Sequence, residues 1–354
     1  MALLEVRDLN VMVRTHRGVA AAVRNMRFAL ERGETLGVIG ESGSGKTLAM
    51  LALMGLLPRN AWAEGSIVFN GQELVGASEK TLCALRGDDL GMVFQEPMTA
   101  LDPLQRIGDQ VAEPLRQHRA MDRRAALAHA VELLDRVGIP DARERLNDYP
   151  HQFSGGQRQR IMIAAALACD PDVLIADEPT TALDVTVQAQ ILNLLRDLVA
   201  ERGMALILIS HDLAVIARNV QRMMVLYAGA VAESGSTSEV FARMAHPYTR
   251  ALLAARPRIG APRGAPLQTI PGRVPDMFTP PPGCRFAGRC SFVQDDCRGQ
   301  EPPLFAVPVH ATPQAIHGGT PEILSAQAAI AVDTGRQTPS VPHLARCYHM
   351  QLTP

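Results

Sequence analysis

Long hydrophobic runs, lysine and aromatic residues are all scarce in this 354-residue chain. The longest unbroken apolar stretches, such as Ile161–Cys169, are about half of the ~20 residues that a membrane-spanning helix needs. Residues Met1–Glu5 lack the basic and apolar regions of a signal peptide. We therefore expect a cytosolic chain, or one that is attached to a membrane through a partner.

The charges are balanced, with Lys+Arg 35 against Asp+Glu 36 and a net charge of −1. This balance disfavours a basic nucleic-acid-binding protein, and we expect no nucleic acid among the partners. Lysine occurs only at Lys46 and Lys80. The six cysteines predict reduced thiols or metal ligands rather than disulfides in a chain without a secretory signal.

Short apolar runs alternate with amphipathic helical patterns over residues 1–255. Apolar and polar residues alternate in Met26–Leu30, as in a strand with one solvent-exposed face, whereas Val173–Ala176 is continuously apolar, as in a strand covered on both faces. Strands are predicted at Leu4–Leu9, Val23–Leu30, Thr35–Ile39, Ile67–Asn70, Gly91–Phe94, Val173–Ala176, Ala205–Ile209 and Met223–Tyr227. Helices are predicted at Lys46–Leu57, Gln110–Gln117, Arg123–Val137, Gln157–Ala168 and Val187–Glu201. The pattern indicates an α/β fold with an antiparallel component near the N-terminus.

Three segments depart from this alternation. Residues 97–152 show helices without a strand between them, which predicts a helical insertion between two core strands. Arg256–Gly283 contains eight prolines and four glycines, which cannot sustain helix or sheet and indicate a linker. Residues 284–354 form a cysteine-bearing extension, interrupted at 311–340 by a stretch rich in Ala, Thr, Gln and Gly that is interpreted as an inserted loop.

Gly40–Thr47 fits the pattern G-x-x-x-x-G-K-[ST] between a buried strand and a helix. Glycines let successive backbone N–H groups turn toward phosphate oxygens, and the helix N-terminus faces the same anion. Lys46 is expected to reach the β- and γ-phosphates of a nucleotide, and the Thr47 hydroxyl to bind Mg²⁺. A glycine-rich turn that precedes a helix by chance is the alternative. The candidate ligands are Gly40, Ser42, Gly43, Ser44, Gly45, Lys46 and Thr47.

Two adjacent carboxylates follow the predicted strand Val173–Ala176. Phosphoryl transfer to water needs an acidic group on the metal side and a group that orients or deprotonates the nucleophile. Asp177 is the candidate for the first role and Glu178 for the second, as general base. Gln95 and His211 also follow strands, and ligands bind beyond the carboxyl ends of strands in doubly wound sheets. Gln95 could complete the Mg²⁺ shell, and His211 could contact the γ-phosphate or support Glu178. A solvated acidic turn and a structural histidine are the alternatives.

A second phosphate-seeking helix start is predicted at Phe153–Arg160. Ser154, Gly155, Gly156 and Gln157 there offer free N–H groups and a serine hydroxyl to an anion, yet the chain has one lysine-bearing loop. The simplest resolution is that two nucleotide-binding domains face each other, each loop being completed by the other domain's Ser154–Gly156.

Together these segments resemble the ATP-binding cassette (ABC) superfamily over roughly residues 3–255. The resemblance adds a D-loop at Ala182–Asp184, with Asp184 near the nucleotide. It implies a P-loop ABC nucleotide-binding domain with an antiparallel β subdomain and a helical subdomain at 97–152 that grips transmembrane partners. It also implies ATP with Mg²⁺, and a head-to-tail cassette dimer. A soluble ABC ATPase is the less favoured alternative, because long coiled-coil insertions and a second cassette are absent from the sequence.

Gln95–Pro103, His246–Leu253 and Ile270–Pro275 resemble the ATP-binding subunits of oligopeptide and dipeptide importers more narrowly; the related nickel and glutathione importers share these features. The resemblance implies a paralogous cassette partner, two transmembrane permease subunits and an extracytoplasmic solute-binding protein. It places the chain peripherally on the cytoplasmic face of the inner membrane. Such cassettes usually stack an aromatic residue of the first loop on adenine, whereas Val13–Ala20 offers only His16. We expect His16 or a nearby arginine to cover the base.

Cys284, Cys290 and Cys297 follow the spacing C-x5-C-x6-C, and Cys347 comes 50 residues later. Four thiolates suit zinc or an iron–sulfur cluster, and the long spacings lean away from structural zinc. The importer resemblance implies a 4Fe–4S cluster. Cys83 and Cys169 are isolated and are expected to be ordinary buried residues.

Overall fold

Two β-sheets and a helical layer make up the described part of the chain, which in this computed structural model is residues 2–180, 183–255, 269–308 and 341–350. The strands are β1 Leu4–Thr15, β2 Gly18–Leu30, β3 Thr35–Ile39, β4 Ala61–Phe69, β5 Gln72–Glu73, β6 Leu90–Val93, β7 Val173–Asp177, β8 Ala205–Ile209, β9 Arg222–Tyr227, β10 Ala230–Ser236, β11 Phe305–Ala306 and β12 Leu344–Ala345. The helices are α1 Lys46–Leu53, α2 Glu79–Leu85, α3 Pro97–Ala100, α4 Ile107–His118, α5 Arg123–Arg136, α6 Ala142–Arg145, α7 Gly155–Ala166, α8 Val185–Arg202, α9 Leu213–Asn219, α10 Thr237–Arg243, α11 Pro247–Ala254 and α12 Asp296–Gly299. Within these ranges, no helix combines the length and apolarity that a membrane span requires.

The smaller sheet is antiparallel, with strand order β2-β1-β4-β5. Met26, Phe28 and Leu30 of β2 are buried, while Arg27 between them is exposed. The alternation predicted from the sequence is thereby confirmed, and so is the antiparallel component near the N-terminus. One face of this sheet packs on the helix that follows β3, within a shared apolar cluster that contains Leu9, Met26 and Met50.

The larger sheet has the order β11-β12-β10-β9-β3-β8-β7-β6. Its five strands from β9 to β6 are parallel, and β3, β7 and β8 are buried along their whole length. Parallel strands covered on both faces carry continuous apolar runs, which explains the sequence of Val173–Ala176. Their carboxyl ends lie at one edge, and this edge positions the candidate site.

The segment between β6 and β7 contains no strand in the described structure and is helical, as the sequence predicts. Helices α4 and α5 pack on α7 through an apolar cluster that includes Val111, Leu134 and Ile161. The helical layer therefore extends beyond residue 152 into α7, whose first turn carries the second predicted anion-seeking segment.

Helix α1 ends at Leu53, four residues before the predicted end at Leu57. Gly55 follows with φ 61°, and the Leu56 N–H donates to the Leu51 carbonyl oxygen at 2.8 Å. This is a Schellman cap, in which a glycine in the left-handed conformation ends a helix. The predicted end at Leu57 was wrong because the apolar residues continue through residues 50–57 on both sides of Gly55.

Residues 269–283 contain neither helix nor strand, as the prolines predict, while 256–268 lie outside the described residues. The segment nevertheless packs on the body, because Ile270 and Val274 lie against the main apolar cluster. The predicted loop at 311–340 also lies outside the described residues. Beyond it, β12 pairs with β10 and adds the end of the chain to the large sheet.

A buried carboxylate joins β10 to the start of α11 and to the end of the chain. Glu233 accepts hydrogen bonds from the backbone N–H groups of Ala245 and His246, at 2.7 and 3.0 Å, and its Oε1 lies 2.7 Å from His343 Nε2. His246 caps α11, since its Nδ1 accepts from the Tyr248 N–H at 3.0 Å. Burial lowers the pKa of His246 to about 4.

Acid is expected to destabilise the fold through His246. The imidazole stays neutral in the fold but is protonated in the unfolded chain below about pH 6.5, so its contribution is complete above that pH and is lost as the pH falls toward 4. Between pH 7 and pH 5 we expect a loss of ~2 kcal/mol in the free energy of unfolding, measured by urea denaturation. His246→Asn keeps a cap acceptor without the titration and should remove this part of the pH dependence. An equal pH dependence in both proteins would contradict the assignment.

Candidate functional site

The loop from β3 to α1 is shaped by two glycines that nothing larger can replace. Gly40 has φ +157°, and a Cβ there would lie 2.3 Å from the Leu226 carbonyl oxygen. Gly45 has φ +96°, and its Cβ would lie 2.8 Å from the Ala22 carbonyl oxygen. The loop can therefore lie close to β9 and β2 only because these positions lack side chains.

Lys46 lies inside this loop rather than outside it. Its Nζ donates to the carbonyl oxygens of Gly40 at 2.8 Å and Glu41 at 3.1 Å, and lies 3.5 Å from Ser44 Oγ. Burial lowers the pKa of Lys46, against the opposing effect of the Glu178, Asp177 and Glu41 charges. The loop thus holds a desolvated cation surrounded by carbonyl oxygens, which an anion can partner better.

The two predicted carboxylates lie beside the loop in different environments. Asp177 ends β7 and is 2% exposed. Its burial raises the pKa, while a hydrogen bond from the Thr47 side chain acts in the opposite direction. The next residue, Glu178, has φ +47°, an uncommon conformation for a non-glycine residue, and unlike Asp177 it lines the cavity described below.

Glu178 is contacted by both polar residues predicted from the neighbouring strand ends. His211 Nδ1 lies 3.2 Å from Glu178 Oε2, and Gln95 Nε2 donates to the same oxygen at 3.4 Å. The carboxyl ends of β6, β7 and β8 thus bring together three residues that are distant in the chain. Gln95 and Glu178 are 83 positions apart, and Glu178 and His211 are 33 positions apart. A carboxylate held beside a histidine and an amide is suited to accepting a proton from water.

One cavity of about 480 Å³ joins the loop to these groups. Its lining is Ala21, Ala22, Gly40, Ser42, Gly43, Ser44, Gly45, Lys46, Thr47, Leu48, Gln95, Glu178, His211, Ala228, Val274, Pro275, Met277 and Arg285. All seven predicted loop ligands are present, together with Gln95, Glu178 and His211. Asp177 lies behind the lining, next to Thr47. His16, predicted with a nearby arginine to cover adenine, is exposed at the turn between β1 and β2 and is not among the residues that line the cavity, so this contact stays a prediction.

The second predicted anion-seeking helix start does not reach this cavity. Ser154 caps α7 through a reciprocal pair of bonds with Gln157, and Ser154 and Gly155 are exposed. Asp184 caps α8 by accepting from the Val187 N–H at 2.9 Å and is likewise exposed. Ala182, in the predicted D-loop, lies outside the described residues. Both helix starts therefore lie outside the cavity of this chain's own phosphate loop.

The four tail cysteines face a second, separate cavity. Cys284, Cys290, Cys297 and Cys347 line it together, and their thiols are free. Burial raises the pKa of the Cys284 and Cys347 thiols to about 11. Of the two cysteines expected to be buried elsewhere, Cys169 is buried, whereas Cys83 is exposed, and for Cys83 the expectation was wrong.

Sequence reasoning missed several residues that the fold brings to the phosphate loop and to the tail cysteines. Arg289 makes a bidentate ion pair with Glu41 of the phosphate loop, at 2.7 and 3.0 Å, and the Tyr248 hydroxyl accepts from the Glu41 N–H at 2.9 Å. In the thiol cavity, His349 Nε2 lies 2.8 Å from Asp296 Oδ1, next to Cys297. A histidine two residues after Cys347 was the only available signal for this group.

Comparison with known proteins agrees with this arrangement. The ABC transporter family model matches residues 23–181, and the model of the oligopeptide/dipeptide transporter C-terminal region matches residues 232–297. The chain is 48% identical over 304 residues to the oligopeptide transport ATP-binding protein OppD of Salmonella typhimurium, covering 86% of this chain and 90% of that protein. It is 49% identical over 290 residues to the dipeptide transport ATP-binding protein DppD of Bacillus subtilis, covering 81% and 86%.

The chain belongs to the ATP-binding proteins of ABC transporters. Its fold is that of an ABC nucleotide-binding domain, and the chain is an ABC ATPase. Among solved structures, it is similar to the dimeric ATP-binding cassette MJ0796 in a post-hydrolysis state bound to ADP and Pi, with a TM-score of 0.61 and 28% identity over 66% of this chain and 98% of that one. It is also similar to cbiO1 from Clostridium perfringens, with a TM-score of 0.57 and 26% identity over 69% and 92%.

Proposed function

We propose that this ABC ATPase drives the uptake of peptides as the ATP-hydrolysing subunit of an importer. The observation that carries the proposal is the match of residues 232–297 to the oligopeptide/dipeptide transporter C-terminal region, which lies outside the residues that the ABC transporter family model matches. The identity of 48–49% to OppD and DppD over most of the chain supports the same substrate class.

In this proposal Glu178 is the general base for the attacking water. Its carboxylate contacts His211 and Gln95 and lines one cavity with the phosphate loop. Lys46 and the loop N–H groups bind the β- and γ-phosphates, and His211 supports the base or contacts the γ-phosphate. The single cavity shared by these groups supports their joint action.

Thr47, Asp177 and Gln95 are the residues that we propose to hold Mg²⁺. The donor set fits a hard cation, since it consists of a hydroxyl, a carboxylate and an amide oxygen. When bound, Mg²⁺ neutralises the charge that develops on the phosphate oxygens. The buried position of Asp177 beside Thr47 supports the assignment.

We further propose that the site is completed by a second cassette. Ser154, Gly155, Gly156 and Gln157 start an exposed helix that is absent from this chain's own cavity lining, and Asp184 starts another. A head-to-tail dimer would present these residues to the partner's nucleotide, with a paralogue as the expected partner. The dimer of the similar cassette MJ0796 supports this assembly.

The remaining partners follow from the importer role. Two transmembrane permease subunits would bind the helical subdomain at 97–152, where Leu104 is 84% exposed, and a solute-binding protein would deliver the peptide. The chain would then lie on the cytoplasmic face of the inner membrane. The test is uptake of a radiolabelled oligopeptide by cells deleted for this chain. Restoration by the wild-type chain supports the proposal, whereas a deletion that abolishes uptake of nickel or glutathione alone overturns the peptide assignment.

For the tail we propose that Cys284, Cys290, Cys297 and Cys347 hold a 4Fe–4S cluster, with zinc as the alternative. Four free thiols on one cavity provide a suitable donor set. The thiols share this cavity of about 20 Å³ with other side chains, among them His246, Phe286 and His349. Such a cluster would supply redox chemistry or a structural cross-link.

Metal content after anaerobic purification decides between these groups. We expect about four irons per chain and an absorbance band that Cys284→Ser removes, while Cys83→Ser, at an exposed cysteine outside the tail, retains both. One zinc per chain, or an iron-free protein, would contradict the cluster.

A further inference from the structure

The nucleotide cavity continues beyond the phosphate loop to an apolar wall. Ala21 and Ala22 of β2 contribute one part of it, and Val274, Pro275 and Met277 of the tail segment contribute the other. The loop and the acidic groups account for phosphate and metal binding, but these five side chains carry no charge or hydrogen-bonding group. They line the same cavity as the phosphate loop.

Met277 is the distinctive member of the wall. It is one of the few large apolar side chains at the surface, with 40% exposure, and it faces a cavity that is otherwise polar near the loop. A thioether is polarizable and makes favourable contacts with aromatic rings. His16 of the β1–β2 turn is not among the residues that line this cavity, whereas Met277 is.

The tail segment is fixed in place by contacts on both sides of Met277. Arg17 of the β1–β2 turn pairs with Asp276 at 2.6 Å, and its guanidinium lies over the Phe278 ring, 4.7 Å from the centroid. Val274 packs against the main apolar cluster. The wall is therefore joined both to the turn that usually supplies the base contact and to the body of the domain.

We propose that the adenine base of ATP binds against Met277, with Val274 and Pro275 extending the contact surface. The proposal rests on the proposed binding of ATP at the loop. In this proposal the tail segment makes the contact with the base that an aromatic residue of the first loop usually makes in similar cassettes. Because these side chains offer no donors or acceptors to the edge of the base, the wall favours purines by contact area and separates adenine from guanine poorly.

Calorimetric titration tests the proposal with two probes, Mg·ATP and Mg·tripolyphosphate, the second of which lacks the base. Met277→Ser is expected to raise the dissociation constant for ATP about three- to tenfold and to leave that for tripolyphosphate unchanged. Met121→Ser removes a similarly exposed methionine outside the cavity lining and should change neither constant.

The outcomes separate this proposal from the one on which it rests. If Met277→Ser binds ATP like the wild type while Lys46→Ala loses ATP, the phosphate site stands and the adenine contact is overturned. If the wild-type chain binds no ATP, both proposals fail. Equal losses for ATP and tripolyphosphate would also overturn the base contact.

A fluorescent variant provides a second readout that does not depend on a loss of affinity. The chain has one tryptophan, Trp62, which lies in β4 and not in the cavity lining. In a Trp62→Phe background, Met277→Trp places the only indole at the wall. Saturating ATP and GTP are both expected to change its emission, and tripolyphosphate is not. Tryptophan emission that is unchanged at saturating ATP would overturn the proposal.

Discussion

Glu178→Gln is expected to lower ATP turnover by ~10²–10⁴-fold, the range that a positioned general base contributes, while ATP still binds. The amide keeps the size of the carboxylate and can still contact His211 and Gln95, which lie 3.2 and 3.4 Å from Glu178 Oε2. It cannot accept the proton of water. The change therefore isolates proton transfer from the shape of the site.

Two measurements on Glu178→Gln distinguish this role from a structural one. Phosphate release should fall to the stated extent, whereas the ATP dissociation constant should stay within about twofold of the wild type. With hydrolysis blocked, ATP should also stabilise a cassette dimer, formed by two copies of this chain or by this chain and a paralogous subunit. Light scattering should detect that dimer. Glu144→Gln, at an exposed position in α6, is the matched control. Near-normal hydrolysis by Glu178→Gln would remove the base assignment.

Local sequence patterns predicted the phosphate half of the site. A buried strand, a glycine-rich loop and a helix are adjacent in the chain, so the geometry of Gly40, Gly45 and Lys46 follows from residues within ten positions of one another. The strand-end residues Gln95 and His211 could also be predicted, because parallel strands end at one edge of a sheet.

The base side of the cavity could not be predicted in that way. Met277 and Arg285 come from a segment more than 200 residues from the loop, and its prolines indicated only that helix and sheet are absent. The first loop offered only His16 or a nearby arginine as an adenine contact. The ion pair of Arg289 with Glu41 could not be predicted for the same reason, since the two residues are 248 positions apart and no local sequence pattern indicates a contact between them.

Substituting Lys46 with methionine is expected to abolish nucleotide binding without weakening the nucleotide-free fold. The lysine is 7% exposed, and burial lowers its pKa, which means that the fold disfavours the charged form. Methionine fills a similar volume without that desolvation, although the carbonyl oxygens of Gly40 and Glu41 lose their donor. In the nucleotide-free protein, the relief of desolvation and the loss of these hydrogen bonds change the free energy of unfolding in opposite directions. When ATP is present, the variant also lacks the contact of the lysine with the phosphates.

Thermal denaturation measures both consequences of Lys46→Met. The nucleotide-free variant is expected to unfold at the wild-type temperature or above it. Mg·ATP should raise the wild-type midpoint, since ligand at ~100 times its dissociation constant adds about 2.7 kcal/mol, and should leave that of the variant unchanged. Lys80→Met, at the only other lysine, which is exposed, should retain the full shift. An ATP shift in Lys46→Met equal to that of the wild type would contradict the assignment of Lys46 to the phosphates.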